Sequence, residues 1–94
     1  MTLAEFRATL RLEEPPRVES LLQALWFDAI GNWRRAHELV QDVESRDAAW
    51  VHAYLHRKEG DHGNAAYWYD RAGQPVASDP LDAEWTRIAS ALLR

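Results

Sequence analysis

The chain has 94 residues, a formal net charge of −4 and no cysteine, so we expect a single domain with a modest core. Its basic residues are scattered among fifteen acids, which argues against nucleic acid, and the lack of cysteine excludes disulfides, thiol catalysis and cysteine zinc sites. Neither a leader pattern nor an apolar run of the ~20 residues needed to span a membrane is visible, so we expect a cytoplasmic protein with no membrane partner.

The first predicted helix begins with a capping box. The Thr2 hydroxyl can accept from the amide three residues on, and Glu5 can reach back to the start of the helix. Apolar residues with helical spacing continue the pattern to about Leu12. Pro15 and Pro16 end this helix, because the residue before a proline is pushed out of the α region.

A second and a third helix follow around a glycine. Pro16 suits the first turn of the second helix, since its missing N–H is harmless there. Gly31 ends that helix, because glycine tolerates the left-handed backbone found beyond a helix. Asn32 is a good N-cap for the third helix, whose apolar stripe consists of Ala36, Leu39, Val40 and Val43.

The C-terminal half contains three more predicted helices. Their N-caps are expected at Ser45 or Asp47, at Asp61 and at Asp79. Gly60 ends the fourth helix, Gly73 ends the fifth, and Pro80 takes the first position of the last. The sequence therefore predicts an all-α fold of six helices with no strand.

An internal repeat relates the two middle pairs of helices. Segment 31–36 (GNWRRA) recurs 29 residues later as segment 60–65 (GDHGNA), and a fixed period of this kind indicates stacked helix–turn–helix units. The pattern resembles the tetratricopeptide family, in which small residues on paired helices meet; the matching positions are Ala24 with Ala36 and Ala53 with Ala65. The resemblance implies a single domain over 1–94, with repeats at about 17–45 and 46–75, an N-terminal capping helix and a C-terminal cap at 79–94.

A second resemblance involves the block 49–61 (AWVHAYLHRKEGD), which is followed by YWY at 67–69. This block is similar to one in small bacterial proteins that have no assigned function. It supports a bacterial origin for the chain and implies no activity.

A groove on the inner face of the repeats is the candidate binding site. The repeat register puts Trp50, Tyr54, Arg57 and Lys58 on this face, where an aromatic floor and two cations suit an extended peptide bearing a carboxylate. The alternative occupant of the groove is the N-terminal helix, with Leu3, Phe6 and Leu10. In that case Trp50 and Tyr54 belong to the core.

His52 and His56 form a candidate polar pair. They stand four residues apart on one helix face, a spacing that can hold a metal ion if His37, His62 or Asp61 supplies a third ligand. The register turns both imidazoles toward the packing side of the helix, which favours a buried, hydrogen-bonded pair over a metal site. Tyr67 and Arg71 lie off the apolar stripe of their helix, so we expect them to stack at the surface.

The sequence carries no catalytic motif. It lacks a serine nucleophile elbow, a glycine-rich phosphate loop and a calcium loop, so we predict no catalytic residues, no cofactor and no metal. The resulting prediction is a small non-enzymatic module that binds a protein or an acidic peptide in the groove. Two alternatives stay open: a metal- or ligand-binding protein, or an enzyme, centred on His52 and His56, and a structural protein that self-associates as a homodimer.

Overall fold

A computed structural model describes residues 1–94 and contains six α-helices and no strand, so the predicted all-α fold is confirmed. The helices are α1 (Leu3–Ala8), α2 (Ser20–Ala29), α3 (Trp33–Val40), α4 (Arg46–Lys58), α5 (His62–Ala72) and α6 (Leu81–Leu92). A 3₁₀ turn at Thr9–Arg11 extends α1. None of the helices has the length and apolar character needed to cross a bilayer.

Side-chain caps begin most of the helices. Thr2 and Glu5 form the predicted capping box, and Asn32, Ser45 and Asp61 each accept from the backbone N–H three residues on. These bonds satisfy amides that have no partner within the helix.

Two predicted helix starts are wrong. Helix α2 begins at Ser20 rather than near Pro16, because the Glu19 side chain caps it by accepting from the amides of Leu21 and Leu22. Helix α6 begins after Pro80, which is its N-cap. Asp79 makes an ion pair with Arg87 instead of capping the helix.

The turns that join α2 to α3 and α4 to α5 are built alike. Gly31 and Gly60 have φ values of 90° and 88°, and the next residue in each turn donates its amide to a carbonyl five residues back, from Asn32 to Phe27 at 2.8 Å and from Asp61 to His56 at 2.9 Å. These bonds close the helix ends in the manner of a Schellman motif. The two turns, which lie 29 residues apart in the sequence, therefore have the same backbone structure. The wider resemblance to tetratricopeptide repeats stays a prediction.

Helix α6 connects the parts of the molecule. Helix α2 packs on α3, α4 packs on α5, and α3 contacts α4. Helix α6 contacts α1, α2 and α4. The indole of Trp85 on α6 stacks on Phe6 of α1, with ring centroids 5.8 Å apart, and donates to the carbonyl of Leu25 on α2 at 3.0 Å.

The core follows the apolar stripes of the helices. Its largest cluster combines residues of α1, α2, α3, α4 and α6, and its bulkiest fully buried members are Trp26, Phe6, Leu25, Leu55 and Ile88. The alanines at the predicted small positions, 24, 36, 53 and 65, are all buried. Small side chains at these positions let the helices of each hairpin approach closely.

Candidate functional site

Helix α6 covers two of the four residues predicted to line an open groove. Trp50 donates its indole N–H to Oε2 of Glu84 at 3.2 Å, and Nη1 of Arg57 donates to Oε1 at 2.8 Å. Glu84 is fully buried and also accepts from the Tyr69 hydroxyl, which lies 2.7 Å from both carboxylate oxygens. The expected open groove is therefore occupied at Trp50 and Arg57, and the occupant is the C-terminal helix rather than the N-terminal one.

The Glu84 carboxylate changes the acidity of its neighbours. Burial raises the pKa of Tyr69, and the hydrogen bond and charge of Glu84 raise it further. Burial alone would lower the pKa of Arg57, but the hydrogen bond to Glu84 and its charge outweigh burial and raise it. Sequence reasoning missed Glu84, although its position three residues after Leu81 and four before Ile88 puts it on the buried stripe of α6.

Tyr54 and Lys58, the other two predicted groove residues, meet at Asp28 of α2. The buried Tyr54 hydroxyl donates to Oδ2 of Asp28 at 3.1 Å, and Nζ of Lys58 lies 3.0 Å from Oδ1. Burial raises the pKa of Tyr54, and the Asp28 charge raises it further. Asp28 is 2 % exposed, so Lys58 is the partner that compensates a buried charge.

A cleft of about 470 Å³ opens beside this group. Its apolar lining comes from the 3₁₀ turn, α2 and α6, and consists of Leu10, Ala29, Leu81 and Trp85. Tyr54 and Lys58 line it from α4, together with Arg7 of α1, Asp28 of α2 and Asp82 of α6. The cleft therefore retains the part of the predicted groove that α6 leaves open.

Arg7 differs from Arg57 and Lys58 because it has no carboxylate partner. Its guanidinium lies 5.5 Å from the ring centroid of Trp85 and donates to the Thr86 hydroxyl. None of the ion pairs in the chain includes Arg7. Lys58, by contrast, is paired with Asp28.

Three histidines meet on the other side of α4. His52 and His56 are buried, and His37 of α3 joins them. Nε2 of His37 lies 3.1 Å from Nε2 of His52, and Nδ1 of His56 lies 2.6 Å from a carboxylate oxygen of Glu59. His52 and His56 are therefore buried and hydrogen-bonded as predicted, but not to each other. His52 is bonded to His37, and His56 is bonded to Glu59.

Two tryptophans enclose the histidines. Trp68 stacks on His52 with ring centroids 3.9 Å apart, and Trp33 stacks on His37 at 4.9 Å. Burial lowers the pKa of His52 to about 4, with further lowering by the neighbouring imidazoles of His37 and His56. Burial, followed by the charge of His56, also lowers the pKa of His37. An aromatic wall of this kind favours the neutral imidazole at neutral pH.

The predicted surface pair on α5 is confirmed. Nη1 of Arg71 donates to the Tyr67 hydroxyl at 3.0 Å, and its guanidinium lies 5.7 Å from the Tyr67 ring centroid and 5.3 Å from that of Trp68. Tyr67 is 53 % exposed. Self-association through such exposed aromatic residues stays a prediction.

Comparison of the chain with protein-family models, with curated proteins and with solved structures gives no match. The resemblances to tetratricopeptide repeats and to small bacterial proteins therefore stay predictions.

Proposed function

We propose that the protein is a non-enzymatic binding module that holds a short acidic peptide segment in the cleft between α1, α2, α4 and α6. The observation that carries the proposal is the position of Arg7, a cation without a carboxylate partner at the edge of a cleft with apolar and charged walls. A cytoplasmic location is part of the same proposal.

The chemistry of the cleft favours a ligand with one apolar and one anionic group. A guanidinium offers a planar fork of N–H donors that matches a carboxylate, and Trp85 beneath Arg7 restricts its orientation. The apolar walls suit a neighbouring side chain of the same peptide. A volume of about 470 Å³ lies within the usual range for ligand pockets.

Binding accounts for this cleft better than an acid–base reaction does. The Tyr54 hydroxyl donates to Asp28, and burial raises its pKa still further above neutral pH, so it does not act as a base. Asp28 is in turn paired with Lys58. These groups satisfy one another, and the charged side chains of the lining that remain are Arg7 and Asp82. We therefore place the anionic group of the ligand against Arg7.

The test uses short peptides that combine an apolar residue with Asp or Glu, compared with the same peptides carrying Asn or Gln. We expect the acidic peptides to shift backbone amide resonances of Arg7, Lys58 and Leu81, and to bind at least about 10-fold more tightly than the amides, since a hydrogen bond to a charged group contributes about 1.5–3 kcal/mol. Arg7→Gln should remove this difference.

The matched control is Arg34→Gln, which removes an exposed cation at the start of α3, outside the cleft. It should leave the preference for acidic peptides unchanged. Equal binding of acidic and amide peptides, or an Arg7→Gln variant that keeps the preference, would overturn the proposal.

A further inference from the structure

The three histidines bring donor nitrogens from two helices to one place. His37 comes from α3, and His52 and His56 come from successive turns of α4. One ring nitrogen of each lies within 4.8 Å of the other two. Because α3 and α4 belong to different hairpins, this cluster lies at the junction between the hairpins.

The spacing of the His37 and His52 nitrogens matches two positions of a tetrahedral metal site. Two nitrogens that bind Zn²⁺ at 2.0–2.1 Å with a tetrahedral angle are about 3.3 Å apart, and Nε2 of His37 and Nε2 of His52 are 3.1 Å apart. In the absence of a metal, these two nitrogens share one hydrogen bond. A metal would replace that bond once both rings carry their proton on Nδ1.

The third imidazole is oriented by a carboxylate. Nδ1 of His56 lies 2.6 Å from the Glu59 carboxylate and, by keeping its proton, donates a hydrogen bond to it, which leaves Nε2 as the nitrogen with a free lone pair. A carboxylate that holds the far nitrogen of a histidine is the usual outer partner of a metal-binding imidazole, because it fixes the ring and raises its basicity.

The surroundings suit a metal that prefers nitrogen ligands. Trp33 and Trp68 stack on His37 and His52 and limit the rotation of both rings. His37 is only partly buried, which gives an ion a route to the buried His52 and His56. All the donors are imidazoles, a set that suits zinc and neighbouring transition metals better than Mg²⁺ or Ca²⁺.

We propose that His37, His52 and His56 bind one Zn²⁺ ion, with the fourth position open to solvent. This site is separate from the proposed peptide cleft, whose lining includes none of the three histidines. A metal held by α3 and α4 would join the two hairpins. Zinc should therefore stabilise the fold as well as bind to it.

The test is calorimetric titration of Zn²⁺ into the full chain after treatment with a chelator. We expect one equivalent to bind and the melting temperature to rise with zinc concentration. His37→Gln removes the most accessible ligand. Loss of an outer partner costs up to about 100-fold in affinity, so loss of a ligand should weaken zinc binding by at least about 100-fold. Glu59→Gln should weaken it about 10-fold, because it changes the orientation of His56 and not a ligand.

The control is His62→Gln, since His62 is an exposed histidine outside the cluster. It should keep the wild-type affinity and stoichiometry. Circular dichroism of each variant without zinc checks that the helices are intact, and the visible spectrum of bound Co²⁺ reports tetrahedral coordination directly. No binding, equal binding by His37→Gln, or a loss caused by His62→Gln would overturn the proposal and leave the cluster as a packing and hydrogen-bonding element.

Discussion

Glu84 is the residue on which the polar interior of the molecule depends. Its carboxylate is fully buried and accepts from Trp50, Arg57 and Tyr69. Taking a charge out of water is costly, and the cost is offset only where partners satisfy the charge with good geometry. Three donors from α4 and α5 meet that requirement, so Glu84 fixes the position of α6 against both helices.

Removing this carboxylate should be far more damaging than removing an exposed one. We expect Glu84→Ala to lower the free energy of unfolding by about 3 kcal/mol or more, because it leaves the partly buried Arg57 guanidinium without its carboxylate and the buried Tyr69 hydroxyl without its acceptor. Glu84→Gln, which keeps the volume and some hydrogen bonds, should cost less. Urea unfolding followed by circular dichroism measures all of these changes.

The matched control for Glu84 is Glu38, which pairs with Arg35 at 3.6 Å in a position where both side chains are about half exposed. Glu38→Ala should change stability by less than about 1 kcal/mol, since water screens an exposed pair. Similar losses for Glu38→Ala and Glu84→Ala would contradict the role given to burial.

The sequence predicts which side of its helix a side chain lies on better than it predicts the side chain's hydrogen-bond partner. The helical register turns His52 and His56 inward, and both are buried. It assigns Tyr54 to the open groove, but that side chain is buried as well. It could not predict that Glu84 partners Arg57, which lies 27 residues away. Such a pair depends on where α6 packs, and no local pattern specifies the packing of α6.

Replacing glycine with alanine should have opposite effects on stability at two nearby positions, Gly60 and Gly63. Gly60 has a φ of 88°, and a Cβ atom added there would meet no atom within 4 Å. The cost of Gly60→Ala therefore comes from the left-handed backbone alone, and we expect a loss of about 1–2 kcal/mol. Gly63 lies inside α5 with open space around it, so Gly63→Ala should stabilise the protein by up to about 1 kcal/mol.

Thermal unfolding of the two alanine variants checks both signs in one experiment. Gly60→Ala should melt below the wild type and Gly63→Ala above it. A Gly60→Ala variant as stable as the wild type would show that the turn between α4 and α5 does not require the left-handed conformation.

Helix boundaries could be predicted where the sequence offers a single suitable capping residue. The glycine turns and the caps at Thr2, Asn32 and Asp61 follow from the chain locally. The start of α2 does not, because Pro16 and Glu19 are both acceptable at a helix N-terminus, and only the bonds of Glu19 to the following amides decide between them. At α6 the predicted cap, Asp79, is drawn to Arg87.

The arrangement of the whole molecule is set by α6, and this is the part that periodicity could not predict. A 29-residue period indicates two similar hairpins, but it does not indicate where α6 packs against them. Trp85 of α6 reaches the carbonyl of Leu25, 60 residues earlier in the chain, and the adjacent Glu84 binds α4 and α5. The C-terminal helix therefore contributes buried side chains to the core.

This role of α6 predicts that the two hairpins unfold as one unit. Trp85 is 5 % exposed, stacks on Phe6 and donates to Leu25, so Trp85→Ala should lower the free energy of unfolding by about 3–5 kcal/mol through the cavity it leaves. In hydrogen exchange, amides of α2 and of α5 should lose protection by the same free energy, because α6 couples both hairpins. Tyr67→Ala, which truncates an exposed aromatic on α5, should change either value by less than about 0.5 kcal/mol. If Trp85→Ala lowered protection in α2 and left α5 unchanged, the two hairpins would unfold independently. The hydrogen bonds of Glu84 to α4 and α5 would then hold α6 in place without joining the hairpins.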